Sequence, residues 1–185
     1  MIAGIPGIQT IAMTTNGTLL APLAVDLADR GLSSVNISLD TLDPVKYAMI
    51  TRGGSLDSAI AGVRAAREAG LPVKLNVVVG IDTDPGALDG IRRFADANGC
   101  AVQTILYYRL DEDKYDDLSY DRPLPCAVCD RIRLLATGEL RPCLHGDDSI
   151  PVDWNDVAGS IRACVDAKPI CGTHTGEHLV SAIGG

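Results

Sequence analysis

Short apolar runs alternate with helical patterns along the first 110 residues of the chain. Four of these runs have the length and composition of strands: IQTIAMTT (8–15), SVNISLD (34–40), PVKLNVVV (72–79) and AVQTILYY (101–108). Between them, apolar residues recur every three or four positions, which indicates helices that end near Gly31, Gly70 and Gly99, with a further helical turn at 45–50. This alternation predicts right-handed βαβ crossovers and a parallel sheet.

The second and third of these strands carry polar residues at one parity only. The apolar parity holds Val35, Ile37, Leu39, Val73, Leu75 and Val77, and the polar parity holds Asn36, Ser38, Asp40, Lys74 and Asn76. Parallel strands that are covered on both faces are usually apolar throughout. The polar parity, which Thr14 joins on the first strand, is therefore expected to line the wet interior of an open barrel. The alternative is that these residues merely lie at strand ends.

The pattern changes near residue 110, which predicts one region at 1–110 and a second at 111–185. An acidic stretch with two prolines (111–125) leads into CAVCDRIRLLATGELRPC (126–143). This segment spaces three cysteines as C-x2-C-x13-C, and thiolates are soft ligands that favour zinc, copper(I) or iron–sulfur clusters. Arginines between and beside the cysteines suit an anionic ligand, because a guanidinium binds phosphate or carboxylate with two hydrogen bonds.

The three cysteines allow three interpretations. They could hold an iron–sulfur cluster, or a structural zinc ion with His145 or Cys171 as the fourth ligand. They could also be buried thiols without a metal, although Pro123, Pro125 and the charged neighbours disfavour an apolar environment.

Composition narrows the function classes. Hydrophobic residues make up 46% of the chain and charged residues 22%, which is typical of a globular protein. The net charge of -8 argues against non-specific nucleic-acid binding. No apolar run approaches the roughly 20 residues that span a bilayer, and the first ten residues do not have the pattern of a secretory signal. The C-x2-C spacing favours a metal site in a reducing cytoplasm over disulfides.

Five segments, in this order, resemble the GTP 3′,8-cyclase family of radical-SAM enzymes, which act first in molybdenum-cofactor biosynthesis: TTNGTLL, VNISLD, KLNVVV, CAVCDRIRLLATGELRPC and the terminal IGG. The resemblance implies an α/β fold, a partial radical-SAM (β/α) barrel of parallel strands alternating with helices, followed by a C-terminal iron–sulfur segment. It also implies a lyase that converts GTP to 3′,8-cyclo-7,8-dihydro-GTP. In the family, a deoxyadenosyl radical made from S-adenosylmethionine abstracts the ribose C3′ hydrogen of GTP, and the ribose radical attacks guanine C8.

The resemblance assigns roles residue by residue. Cys126, Cys129 and Cys143 would hold an auxiliary 4Fe–4S cluster whose fourth iron is open to the guanine of GTP, which makes His145 and Cys171 bystanders. The other assignments are Thr14, Lys74, Arg131, Ile132 and Arg133 for GTP, and Ser38 for S-adenosylmethionine. Gly184 and Gly185 match the family's C-terminal glycine pair, which enters the active site; the alternative is a frayed chain end.

The sequence also departs from the family. Neither the N-terminal C-x3-C-x2-C, which holds the second 4Fe–4S cluster and cleaves S-adenosylmethionine, nor the Gly-Gly-Glu segment is found in it. The chain is therefore expected to correspond to the C-terminal half to two thirds of the enzyme, truncated at its N-terminus and with an internal deletion, and to be unable to start the radical alone. The expected partners are GTP, a second copy in a homodimer and the downstream pterin synthase, with no nucleic acid or membrane. The alternatives are a non-catalytic nucleotide- or zinc-binding module and a radical-SAM enzyme with another substrate.

Overall fold

The computed structural model describes residues 2–80, 83–108 and 116–173. The chain divides into two compact units, Met1–Leu106 and Tyr107–Gly185. The first unit contains a parallel sheet with its helices, and the second contains a small antiparallel sheet and one helix. None of the helices in the described ranges is long and apolar enough to cross a membrane.

The first unit alternates strands with helices, as the sequence predicts. Its strands are β1 (Ala12–Thr15), β2 (Ser34–Ser38), β3 (Val73–Val79) and β4 (Ala101–Leu106), and its helices are α1 (Ala24–Asp29), α2 (Pro44–Ile50), α3 (Leu56–Glu68) and α4 (Pro85–Ala97). All neighbouring strands are parallel, in the order β1-β2-β3-β4. The expected α/β class, with parallel strands alternating with helices, is confirmed.

Two predicted elements begin later than the sequence pattern indicates. The first strand begins at Ala12 rather than at residue 8, because Ala12 is in register with Ser34, the residue at which its neighbour β2 begins. The first helix begins only at Ala24, although Leu19, Leu20 and Leu23 already recur with Leu27 at helical spacing in the sequence. Turns at 18–23 precede it, in which the Leu20 N–H donates to the Gly17 carbonyl and the Leu23 N–H donates to the Leu20 carbonyl.

Helices α2, α3 and α4 begin at side-chain caps. Asp43, Ser55 and Asp84 accept hydrogen bonds from main-chain N–H groups in the first turn of these helices, and proline occupies the first position of α2 and α4. These caps satisfy N–H groups that have no partner within the helix, so the helix starts are determined locally by the sequence.

The apolar parity of β2 and β3 forms the core of the first unit. Its members are Val35, Ile37, Leu39, Val73, Leu75, Val77 and Val79, none more than 8% exposed. Helix α3 contributes Ala59, Val63 and Ala66 to the same core. Gly62 on the same helix lies against the main-chain carbonyl of Gly17 in the turn after β1. The helix therefore approaches this turn so closely that a side chain at position 62 would not fit.

We expect Gly62→Ala to lower the free energy of unfolding by about 1–3 kcal/mol, the range for overpacked sites. The added methyl would collide with the Gly17 carbonyl, which cannot move without distorting a turn of positive φ. Gly90→Ala in α4 is the matched control. Its added Cβ would meet nothing closer than the Arg93 guanidinium at 4.0 Å, so a gain of roughly 0.5–1 kcal/mol is expected there. Chemical denaturation measures both, and equal changes in the two variants would contradict this packing.

The second unit contains elements that the sequence pattern did not predict. Strands β5 (Arg133–Leu134), β6 (Glu139–Arg141) and β7 (Ile150–Pro151) form an antiparallel sheet in the order β5-β6-β7, and helix α5 (Val157–Asp166) follows. Asp156 caps α5 by accepting a hydrogen bond from the Gly159 N–H at 2.8 Å. Strands of two or three residues are too short to show a period, which is why the sequence did not reveal them.

Candidate functional site

The polar parity of the parallel sheet forms a row of side chains across three strands. Thr14 is in register with Asn36, and Asn36 with Lys74. The Asn36 side-chain amide lies 3.5 Å from the Thr14 hydroxyl. Because neighbouring strands are about 4.8 Å apart, Thr14 and Lys74 are separated by about 10 Å, a span that one nucleotide can bridge. The structure thus places these two predicted GTP residues on one face of the first unit.

The next row of the same face contains Ser38, Asn76 and Gln103 in register. Ser38 is exposed, at the carboxyl end of β2. Two residues further on, the Asp40 carboxylate accepts a hydrogen bond from the Val78 N–H at 2.7 Å and thereby ties the end of β2 to β3. Ligands of parallel α/β sheets bind at the carboxyl ends of the strands, so Ser38 occupies a suitable position for a ligand contact.

Burial raises the pKa of Asp40 above its ordinary value of 3.8, and the hydrogen bond from Val78 opposes this shift only in part. A raised folded-state pKa gives stability that is complete below the unfolded value and is lost as the pH rises through the folded value. We therefore expect Asp40→Asn, which keeps an acceptor for Val78, to gain stability relative to the unsubstituted chain as the pH rises from 4 towards 7. Denaturant unfolding across this range checks the trend. A difference that stays constant across this range would contradict it.

The candidate site of the second unit is built around the cysteine segment, residues 126–143. Cys126 begins a single 3-10 turn (Cys126–Val128) and Cys129 follows it; the Cys129 N–H donates to the Cys126 carbonyl at 3.2 Å. The Asp116 carboxylate accepts from the Cys126 N–H at 3.3 Å. Cys143 follows β6, and all three cysteines are half-buried. The hairpin of β5 and β6 therefore brings the third cysteine back toward the turn that carries the first two.

Residues 171–173 lie against this segment. The Cys171 sulfur is 3.2 Å from the Cys126 sulfur, and none of the chain's six cysteines, all within the described residues, forms a disulfide. A side chain at Gly172 would press on Cys143 and on buried His145, so this approach requires glycine. The His145 ring lies 5.0 Å from that of Tyr108. The sequence named His145 and Cys171 as alternative fourth ligands; Cys171 lies beside Cys126, and His145 and Cys143 both lie against Gly172.

Positive side chains surround the cysteines. Arg131 is exposed, Ile132 and Arg133 are half-buried, and Arg133 on β5 pairs in register with the buried Arg141 on β6. Burial is the main cause that lowers the pKa of Arg133, and Arg131 lowers it further. The Cys129 and Cys143 sulfurs, together with Tyr108, act in the opposite direction. Arg133 is thus within electrostatic range of another guanidinium and of two cysteines, a combination suited to an anionic ligand.

Two residues of this site were missed from the sequence. Arg122 has a lowered pKa, first through burial and then through repulsion by Arg131, and its Nη1 atom is buried without a hydrogen-bond partner in the described part of the chain. Arg122 lies in an acidic, proline-containing stretch that the sequence pattern indicates to be a surface loop, so it was not recognised as a candidate site residue. Lys168, beyond the end of α5, donates to main-chain carbonyls beside the cysteines. Gly184 and Gly185 lie outside the described residues.

The donor set fits a thiolate-bound cofactor. Three cysteines, with a fourth beside one of them, supply soft ligands, and the neighbouring cations offset thiolate charge. No group of three or more His, Cys, Asp or Glu side chains in residues 2–80, 83–108 and 116–173 is arranged to hold a metal ion, so the fit rests on the chemistry of the donors.

Comparison with known proteins gives a family and several relatives. The family described as the radical SAM superfamily matches residues 1–95. A GTP 3′,8-cyclase of Moorella thermoacetica is 36% identical over 88% of this chain and 63% of its own length. Those of Peptoclostridium acidaminophilum and Rhodopseudomonas palustris are 34% and 32% identical, over 89% and 86% of this chain and 63% and 58% of their own lengths. The resemblance to the GTP 3′,8-cyclase family is thereby confirmed.

The chain spans about three fifths of the length of these curated relatives. Among solved structures, Streptococcus suis SuiB bound to S-adenosylmethionine is similar over 57% of this chain and 24% of its own, at 20% identity and a TM-score of 0.45. That likeness is too slight to bear on the fold.

Proposed function

Because the chain belongs to the radical SAM superfamily, we propose that it forms the GTP-binding and auxiliary-cluster portion of a GTP 3′,8-cyclase, a lyase that converts GTP to 3′,8-cyclo-7,8-dihydro-GTP. The names of its relatives, 32–36% identical over most of this chain, support the reaction. The observation that carries the proposal is the placement of Arg133, which is half-buried and within electrostatic range of Cys129, Cys143 and Arg131. A substrate with phosphates and a base that ligates iron requires this combination of cations and thiols.

Arg131 and Arg133 bind the triphosphate in this proposal. A guanidinium donates two parallel hydrogen bonds to phosphate oxygens and keeps its charge even where burial lowers its pKa. Phosphate binding also removes the repulsion between the two arginines, because the anion lies between like charges. Ile132 lies between the two arginines in the chain and contributes main-chain contacts to the same ligand.

Thr14 and Lys74 provide further contacts to the nucleotide. They share the polar face of the parallel sheet, with Asn36 in register between them. Lys74 supplies a positive charge and Thr14 a hydroxyl that both donates and accepts hydrogen bonds. Ser38, exposed at the carboxyl end of β2, contacts S-adenosylmethionine.

Cys126, Cys129 and Cys143 would each ligate one iron of a 4Fe–4S cluster and leave the fourth iron open. When bound, this cluster supplies a coordination position for the guanine base. The chain's residues then hold the substrate at both ends, the triphosphate through arginines and the base beside the cysteines. A complete reaction also needs a second 4Fe–4S cluster that cleaves S-adenosylmethionine, and a pterin synthase would consume the product.

Equilibrium dialysis of the anaerobically reconstituted chain against GTP and against ATP tests this proposal. Both nucleotides offer the same triphosphate, so the arginines bind both, and the base contact adds affinity for GTP alone. We expect tighter binding of GTP. Equal binding of the two, or no binding of either, would contradict the assignment of substrate.

A second candidate function is a structural zinc module, which one close sulfur pair favours, although no group of three or more His, Cys, Asp or Glu side chains in the described residues is arranged to hold a metal ion. The Cys126 and Cys171 sulfurs are 3.2 Å apart. Thiolates that share one tetrahedral zinc ion lie about 3.8 Å apart, given Zn–S bonds of about 2.3 Å, whereas thiolates on separate irons of a cluster lie further apart. Metal analysis of the purified chain separates the two functions. Stoichiometric zinc that is lost in Cys171→Ser, with no uptake of iron, would favour the zinc module.

A further inference from the structure

Lys168 links the two segments that carry the cysteines. Its Nζ atom donates to the Arg131 carbonyl at 2.7 Å and to the Pro142 carbonyl at 3.0 Å. Arg131 comes two residues after Cys129, and Pro142 directly precedes Cys143. One ammonium group therefore fixes the separation of two main-chain segments on either side of the β5–β6 hairpin.

The same ammonium lies beside a sulfur atom. Lys168 Nζ is 4.0 Å from the Cys129 Sγ. Lysine has three N–H donors, so it can bind both carbonyls and still direct one donor at this sulfur. Hydrogen bonds from a charged donor are stronger than those between neutral groups, and the half-buried position limits competition from water.

We propose that Lys168 is a positioning residue of the cysteine site, which ties together the main-chain segments next to Cys129 and Cys143 and would stabilise negative charge on a metal centre bound by these thiolates. This inference rests on the proposed function, because the centre in question is the auxiliary cluster. Outer groups that fix metal ligands affect metal affinity roughly 10- to 100-fold. A cation beside a thiolate ligand also favours the reduced cluster, since reduction adds one electron and so one unit of negative charge.

Lys168→Met and Lys168→Arg separate the two parts of this role. Methionine keeps much of the apolar stem but removes the charge and the hydrogen bonds, and arginine keeps the charge. Arg162→Met is the matched control, because Arg162 is exposed on α5, six residues before Lys168. Thermal unfolding of each apo-protein shows whether the variants remain folded.

The first measurement uses cobalt(II), a probe of thiolate spacing that does not require a cluster. We expect Lys168→Met to bind cobalt(II) roughly 10- to 100-fold more weakly than the unsubstituted chain, and Arg162→Met to bind it equally. The second measurement is a dithionite titration of the reconstituted cluster. The reduction potential should be more negative in Lys168→Met and near that of the unsubstituted chain in Lys168→Arg.

The outcomes distinguish this inference from the proposed function. Uptake of cobalt(II) without any iron–sulfur cluster would overturn the proposed function, and the cobalt affinities would still decide the role of Lys168. If Lys168→Met matches the unsubstituted chain in cobalt(II) affinity, and in reduction potential where a cluster forms, the inference is wrong. If the unsubstituted chain binds neither cobalt(II) nor a cluster, both are wrong.

Discussion

Replacing Cys126, Cys129 or Cys143 by serine should abolish the iron–sulfur cluster of the reconstituted chain. Each thiolate would ligate a different iron, and a serine hydroxyl is a poor substitute for a soft thiolate ligand. The unsubstituted chain should take up about four irons and four sulfides under anaerobic conditions, with the brown absorbance of a 4Fe–4S cluster. Iron and acid-labile sulfide assays, together with the absorption spectrum, measure the loss.

Cys100 and Cys164 provide the controls for this prediction. Both are buried, and burial is the main cause that raises the pKa of each thiol, so both favour the protonated form that does not ligate iron. Their serine variants should keep the cluster. Full iron uptake by the Cys143→Ser variant, or loss of iron only in Cys171→Ser, would contradict the assignment of the three ligands.

Arg131→Ala and Arg133→Ala should each weaken GTP binding by roughly 1.5–3 kcal/mol, the range for hydrogen bonds to charged groups. This corresponds to a roughly 10- to 150-fold higher dissociation constant. The Arg133 substitution should have the larger effect. Arg133 is half-buried and Arg131 is exposed, so solvent screens the charge of Arg133 less. Lys74→Ala should weaken binding less than either, since an ammonium makes a single point contact. Isothermal titration calorimetry under anaerobic conditions measures all three.

The control for the arginine variants is Arg162→Ala. Arg162 lies in the same unit but is exposed on α5. Each of the three arginine-to-alanine variants loses one positive charge. Any non-specific electrostatic attraction of GTP should therefore weaken by the same amount in all three. A loss of affinity in Arg162→Ala as large as that in Arg133→Ala would show that net charge, not a phosphate site, controls binding.

The parallel sheet could be predicted because its signals are local. Alternation of Val35, Ile37 and Leu39 with polar residues has the period of a strand, and Gly31, Gly70 and Gly99, all of positive φ, follow the helices where a left-handed residue is needed. The same alternation correctly separated the buried parity from the polar one. The errors fell at element ends: the first strand begins only at Ala12, which is in register with the first residue of β2.

The second unit could be predicted only at its cysteines. Cys126, Cys129 and Cys143 occupy one short segment with a recognisable spacing, so their chemistry is visible in the sequence. Cys171 reaches Cys126 from 45 residues away, and Lys168 reaches Cys129 from 39 residues away. Contacts over such separations leave no local pattern, and the strands of the small sheet that bring Cys143 back are too short to show a period. The proximity of Lys168 to the cysteines could therefore not be inferred from the sequence alone.

The most direct test is the electron paramagnetic resonance spectrum of the dithionite-reduced cluster in the reconstituted chain, recorded with and without GTP. If the guanine base meets an open iron beside Cys126, Cys129 and Cys143, saturating GTP should change the spectrum, and saturating ATP should not. The change should need a higher concentration of GTP in Arg133→Ala, because the arginine holds the triphosphate and not the base. A spectrum that stays the same at GTP concentrations where calorimetry shows full binding would contradict the account.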